Sequence, residues 1–192
     1  YTADEHSLRM IRFLEELENK PSSFKEFSES YKQLNSKVLL KLSAFIQPIR
    51  EKKDPEDPKG QLNNILPATA HLDLSTEEIQ IIDFLVSDAY LMIETALHSD
   101  IRQPRIIENF AKKVGSVDKL HLLYLRSYAE LRAVAPGTLT SWKKVLLSEL
   151  YQRSRDYFQA PESLHSRPLT TWVEVYKILH WEFPPEDLEF HF

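Results

Sequence analysis

Cysteine is absent from this chain of 192 residues, which excludes disulfides, thiolate metal centres and cysteine nucleophiles. Glycine is nearly absent as well, with three residues at Gly60, Gly115 and Gly137. So few glycines leave no phosphate-cradling loop and too few tight turns for a β-sandwich. No apolar run approaches the roughly 18 residues of a membrane span, and no signal peptide is visible. An excess of positive charge is missing too. The formal net charge is −5, so the chain has no global field for nucleic acid or an anionic membrane, and neither is an expected partner. The lack of thiols fits a cytoplasmic protein, and a start at Tyr1 instead of Met suggests a domain excised from a larger one.

What is present reads as helix. Hydrophobic residues make up 42% and charged residues 28%, an ordinary balance for a globular domain able to bury a sizeable core. Thr2 and Glu5 have capping-box spacing, followed by Leu8, Ile11, Leu14 and Leu17 at helical intervals. That pattern predicts a first helix ending near Glu18. A second is expected from about Phe24 to Arg50, with Pro48 close to its end. Glu51 to Gly60 reads as a loop, either a mobile lid or, the plainer choice, a solvated surface segment. Ser75 and Glu78 repeat the capping box and open a helix to about Leu97. Further helices are expected from Pro104 to just before Gly115, from Val117 to about Arg132 and from Thr140 to about Phe158. Pro161 to Pro168 reads as a linker, with short helical candidates at Thr170–Trp181 and Pro185–Phe192. The expected fold class is all-α, with seven or eight helices.

Familiar catalytic patterns are missing. The seven histidines make no H-E-x-x-H pair, and there is no G-x-S-x-G elbow. His71, His98, His121, His165, His180 and His191 are expected in structural or surface roles. Glu15, Glu16 and Glu18, and the pair Glu77 and Glu78, read as solvated faces or cap charges before acid/base dyads. Lys112, Lys113, Lys119, Lys143 and Lys144 form a basic scatter without interleaved aromatics, more a helix surface than a nucleic-acid site.

Several separated blocks nevertheless share one resemblance. Asp4-Glu5-His6-Ser7-Leu8-Arg9 opens its helix in the manner of a metal-dependent HD-type phosphohydrolase. Phe84-Leu85-Val86-Ser87-Asp88-Ala89-Tyr90-Leu91-Met92, then Asp100-Ile101-Arg102-Gln103-Pro104, and Ser141-Trp142-Lys143 with Glu149-Leu150-Tyr151, follow in matching order and spacing. From Tyr1 to Phe158 the chain resembles the HD domain of the bifunctional PII uridylyltransferase/uridylyl-removing enzymes. The resemblance implies an HD-like helical bundle over residues 1–158, with residues 159–192 as linker and C-terminal helices. It also implies a parent protein carrying a nucleotidyltransferase domain.

The metal positions implied by this resemblance are mostly changed. His6 stands at the first ligand position. The His-Asp doublet that supplies the next two falls on Ile46 and Gln47, and no His-Asp dipeptide occurs anywhere in the chain. A later histidine falls on Ala89, a loop ligand falls near Asp57, and the distal aspartate corresponds to Glu130. Three good donors are needed to hold even one hydrolytic cation. The expectation is therefore a catalytically inactive HD-like regulatory or architectural domain without a cofactor, in which His6 and Glu130 meet on neighbouring helices. A divalent metal enters only under the alternative of a phosphohydrolase with a rebuilt site. A third reading is an interaction or dimerisation module in which Trp172, Tyr176 and Trp181 bind a partner or a second copy, although docking of that segment as ordinary core is the plainer choice.

Overall fold

The computed structural model describes residues 2–19, 25–51, 69 and 71–160. The described residues form eight helices and no strand: α1 (Ala3–Asn19), α2 (Lys25–Gln33), α3 (Lys37–Glu51), α4 (Thr76–Ser87), α5 (Leu91–His98), α6 (Pro104–Val114), α7 (Val117–Val134) and α8 (Ser141–Gln159). The loop after Glu51, the linker and the two C-terminal helical candidates lie outside the described residues.

Local chemistry sets most of the helix ends. The Ser75 hydroxyl accepts from the Glu78 N–H while the Glu78 carboxylate takes the Ser75 N–H at 2.8 Å, a complete capping box at the start of α4. Ser116 and Thr140 accept from Lys119 N–H and Lys143 N–H to open α7 and α8. Pro104 sits in the first turn of α6, and Gly115 ends it at φ 86°, a left-handed conformation that costs glycine little.

Two expected helices are each two helices. The segment expected from Phe24 to Arg50 breaks at Leu34–Ser36, where the Ser36 carbonyl takes the first bond of α3 from Leu40 N–H. Asn35 and Ser36 compete with the helical backbone through their own side chains, so the break is cheap. The helix expected to run to Leu97 turns at Asp88–Tyr90, with Leu91 N–H bonding to the Asp88 carbonyl at 3.0 Å. No glycine or proline marks this turn. Tertiary contacts hold it: Asp88 pairs with Lys113 of α6 at 2.7 Å, and Ala89 is fully buried.

Helix α7 is the axis of the bundle and touches each of the other described helices. It is buried around nearly its whole circumference from Leu120 to Ala133, as a helix enclosed on all sides must be. α1 lays Ser7, Met10, Leu14 and Leu17 in the core while Leu8 faces outward. Aromatic rings join α2, α7 and α8: Phe27 packs on Tyr124 and Tyr128 at 4.7 and 4.5 Å, and Tyr151 stacks on Tyr124 at 4.4 Å.

Beside that stack the Tyr124 hydroxyl lies 3.1 Å from Glu26 Oε1 and 2.7 Å from Ser148 Oγ, which donates to Glu26 Oε2 at 3.0 Å. Burial raises the Glu26 carboxyl above its ordinary range, against the opposing effect of the Ser148 and Tyr124 hydrogen bonds. A raised carboxyl binds its proton more tightly in the folded state. Its stability contribution is present below the unfolded value and is lost as pH rises through the folded one. Glu26→Gln removes that loss. Urea unfolding of the two proteins at acid and neutral pH is expected to show the variant gaining on the wild type as pH rises; a difference independent of pH contradicts this.

Candidate functional site

Three helices and one turn converge on a polar cluster inside the bundle. The His6 ring of α1 meets Glu130 of α7, with Nε2 2.8 Å from Oε1. A ring nitrogen and a carboxyl oxygen at this distance share one hydrogen bond, whose direction follows the histidine tautomer. The Glu130 side chain is 4% exposed. Its second oxygen, Oε2, is buried without a hydrogen-bond partner among the described residues. The Tyr90 hydroxyl, delivered by the turn between α4 and α5, donates to Oε1 at 3.5 Å and accepts from Gln47 Nε2 of α3 at 3.0 Å.

The centre of the cluster is Arg126, one helical turn before Glu130 and fully buried. Its Nη2 donates to Gln47 Oε1 and its Nη1 to Ser43 Oγ at 3.2 Å, and Ser43 passes its own hydrogen to the Leu40 carbonyl at 2.8 Å. The chain Leu40–Ser43–Arg126–Gln47–Tyr90–Glu130–His6 thus ties α3, α7, the Tyr90 turn and α1 together. A buried guanidinium is tolerable only with such partners, because desolvation of an ion costs several kcal/mol even after relaxation.

The five sequence-derived positions are close in the fold but differ in what they offer. His6, Gln47 and Glu130 belong to the hydrogen-bonded chain. Ile46 is 2% exposed and packs instead with Leu39, Ile82 and Val86 in a small apolar cluster. Ala89 is fully buried and presents a methyl group. Asp57, Trp172, Tyr176 and Trp181 lie outside the described residues. Arg126, Ser43 and Tyr90 were not anticipated. One signal for Arg126 was available: in Leu122-Leu123-Tyr124-Leu125-Arg126-Ser127-Tyr128-Ala129-Glu130-Leu131, an arginine and a glutamate four apart interrupt an otherwise apolar helix.

A hydrolytic cation does not fit the donors present. Both ends of the Gln47 amide are engaged, His6 Nε2 is hydrogen-bonded to Glu130, and the side chains of Ile46 and Ala89 have no donor atom. A permanently charged guanidinium sits beside them and repels a second cation in a low-dielectric interior. Among the described residues no group of three or more His, Asp or Glu side chains converges with ligand geometry.

Several of the other candidates form surface pairs, while His165, His180 and His191 lie outside the described residues. Glu15 and Glu18 pair with Lys41 and Lys37 at 3.0 Å each, and Glu16 with Arg12 at 3.4 Å. Lys112 pairs with Glu108 at 2.6 Å, and the Lys119 ammonium lies over the Phe84 ring. His98 is the last residue of α5. Burial lowers the His121 imidazole below its ordinary value, opposed by a backbone hydrogen bond at Ser30. No helix of the described residues is long and apolar enough to cross a membrane.

Comparison with known proteins gives one consistent likeness. The chain is 31% identical over 154 residues to the bifunctional uridylyltransferase/uridylyl-removing enzyme of Zymomonas mobilis, covering 79% of the chain and 17% of that protein. The enzyme of the same description from Erythrobacter litoralis is 32% identical over 173 residues, covering 87% and 18%. That of Nitrosococcus oceani is 31% identical over 153 residues, covering 79% and 17%. The chain therefore corresponds to less than a fifth of the length of each of these relatives. No family model and no solved structure matches it.

The buried chain of bonds makes a quantitative demand on mutants. Arg126→Met strands the Gln47 carbonyl and is expected to cost about 1–3 kcal/mol of unfolding free energy. Adding Gln47→Leu removes the stranded acceptor, so the double variant should be more stable than additivity predicts, by roughly 0.5–3 kcal/mol. Urea unfolding of the four proteins of this cycle decides it; strictly additive losses contradict the coupling.

Proposed function

We propose that this chain is a degenerate HD-like domain, catalytically inactive, which serves a regulatory or architectural role within a longer protein related to bifunctional uridylyltransferase/uridylyl-removing enzymes. The observation that carries this reading is the Arg126 guanidinium bonded to Gln47, at the position where the resemblance implies the second half of a His-Asp doublet. In an HD centre the cation lowers the pKa of a bound water and polarises a phosphoryl oxygen. A guanidinium supplies charge and directional donors but has no coordination site for a water, so the residues here hold helices together and leave no nucleophile generator.

On this reading the natural partners are the other domains of the parent protein, in the cytoplasmic setting of nitrogen signalling that the resemblance implies. Uridylyl transfer itself is assigned to a separate nucleotidyltransferase domain, because the signature of that domain is a Gly-Ser followed by a carboxylate pair, and no such pair follows Gly115-Ser116. No feature of the described residues favours the rebuilt-site alternative over this one.

Calorimetric titration of the chain with Mn²⁺, Mg²⁺ and Zn²⁺, beside His6→Ala, tests the proposal. The expected result is no binding that depends on His6, together with no metal-stimulated phosphodiesterase activity. Tight binding abolished by His6→Ala, with hydrolysis of a phosphodiester, overturns it.

A further inference from the structure

Helix α2 has nine residues and packs on α1 and α7, reaching α8 through the bond between Glu26 and Ser148. A helix this short is marginal by itself and depends on its docking. Its apolar anchors Phe27 and Tyr31 are buried, yet the docked surface leaves polar atoms unsatisfied. Ser28 Oγ and Tyr31 Oη on α2 are buried without a hydrogen-bond partner among the described residues. So is Nε2 of His121, the α7 side chain that is hydrogen-bonded to the Ser30 backbone. Each such atom recovers water when the helix lifts, which lowers the cost of opening there.

Glu26 adds a charge-dependent element to the same surface. Its carboxylate accepts from the Tyr124 hydroxyl at 3.1 Å and from Ser148 Oγ at 3.0 Å. The charged side chain acting on it is a second carboxylate, Glu29 of the same helix. A carboxylate held under a helix by two hydroxyls, without a cation, is costly to keep ionised. Burial accordingly raises the Glu26 carboxyl, with Ser148 and Tyr124 pulling the other way. Lifting α2 returns Glu26 to water, where the proton leaves more readily.

We propose that α2 is a releasable strap: protonated Glu26 holds it on α7 and α8, and loss of that proton favours a state in which α2 is lifted and hydrated while the other helices stay packed. Opening through Glu26 is least below the ordinary carboxyl value, grows as pH rises through the folded one, and then levels off.

The other titratable groups at this surface are silent over that range or act in the opposite sense. Burial raises the hydroxyls of Tyr31, Tyr124 and Tyr151, which therefore keep their protons. Glu15 and Glu18 of α1 act on the Tyr31 end of α2 and are paired with Lys41 and Lys37 of α3. The His121 imidazole is lowered by burial, with Asp118 of its own helix and Arg155 of α8 also acting on it. Acid therefore favours release through His121, opposite to Glu26. The strap uses none of His6, Gln47 and Glu130 and stands independently of the reading above.

The test is residue-resolved hydrogen exchange of the 192-residue chain by NMR, from acid to mildly alkaline pH. Protection factors, which remove the intrinsic pH dependence of exchange, are compared at each pH for the wild type, Glu26→Gln and Ser148→Ala. The comparison between proteins at one pH cancels the contribution of His121. The expected result is that the α2 amides from Glu29 to Gln33 lose protection with rising pH relative to Glu26→Gln, while the amides of α6 keep theirs in both. Ser148→Ala, which removes a donor to the ionised carboxylate, is expected to enlarge the loss. Parallel pH profiles at α2 in the wild type and Glu26→Gln, or a loss shared equally by all helices, overturn the proposal.

Discussion

A guanidinium with no exposure to water sits at the middle of this bundle, and much of the local architecture follows from the need to satisfy it. Arg126 is carried on the helix that contacts all the other described helices. Its partners Ser43 and Gln47 lie four apart on α3, one above the other on the same face. Rotation of α3 about its axis, or a slip by one residue, removes both acceptors together. The cost of an uncompensated buried ion therefore fixes the register of α3 against α7 more sharply than hydrocarbon packing alone, which tolerates small adjustments.

The same constraint reaches the turn between α4 and α5. Gln47 spends its oxygen on Arg126 and its nitrogen on the Tyr90 hydroxyl, which in turn approaches Glu130. Glu130 closes the path on His6. A guanidinium and a carboxyl group are thus joined through two neutral relays across α3, α7 and the Tyr90 turn, with the His6 ring of α1 at the end. On the proposed reading, this is how a bundle built around a cation persists without hydrolytic chemistry: a fixed internal cation assumes the electrostatic role, and the coordination chemistry is gone.

Helix ends with explicit chemistry were legible in the sequence. Ser75-x-x-Glu78, Pro104 and Gly115 each act locally, and each does in the fold what its residue type favours. The meeting of His6 and Glu130 was also legible, through the positions they occupy in the resemblance. The break at Leu34–Ser36 had only a weak local signal in Asn35 and Ser36. The turn at Asp88–Tyr90 had none, because it is held by an ion pair to α6 and by the burial of Ala89, contacts that periodicity along one segment does not register. Arg126 was overlooked for a related reason: its partners lie 79 and 83 residues away on another helix. Taken alone it reads as one more solvated arginine, and only its apolar flanks suggested otherwise.

The most direct check of the central claim observes the Arg126 side chain itself. In nitrogen-15 NMR of the guanidinium groups, a buried Arg126 locked to Gln47 and Ser43 should give resolved Nη resonances, slow in rotation and in solvent exchange. Those resonances should disappear selectively in Arg126→Lys and shift in Gln47→Leu. A single averaged, rapidly exchanging Arg126 signal, indifferent to Gln47→Leu, would mean that the guanidinium is solvated and that the bundle does not depend on it.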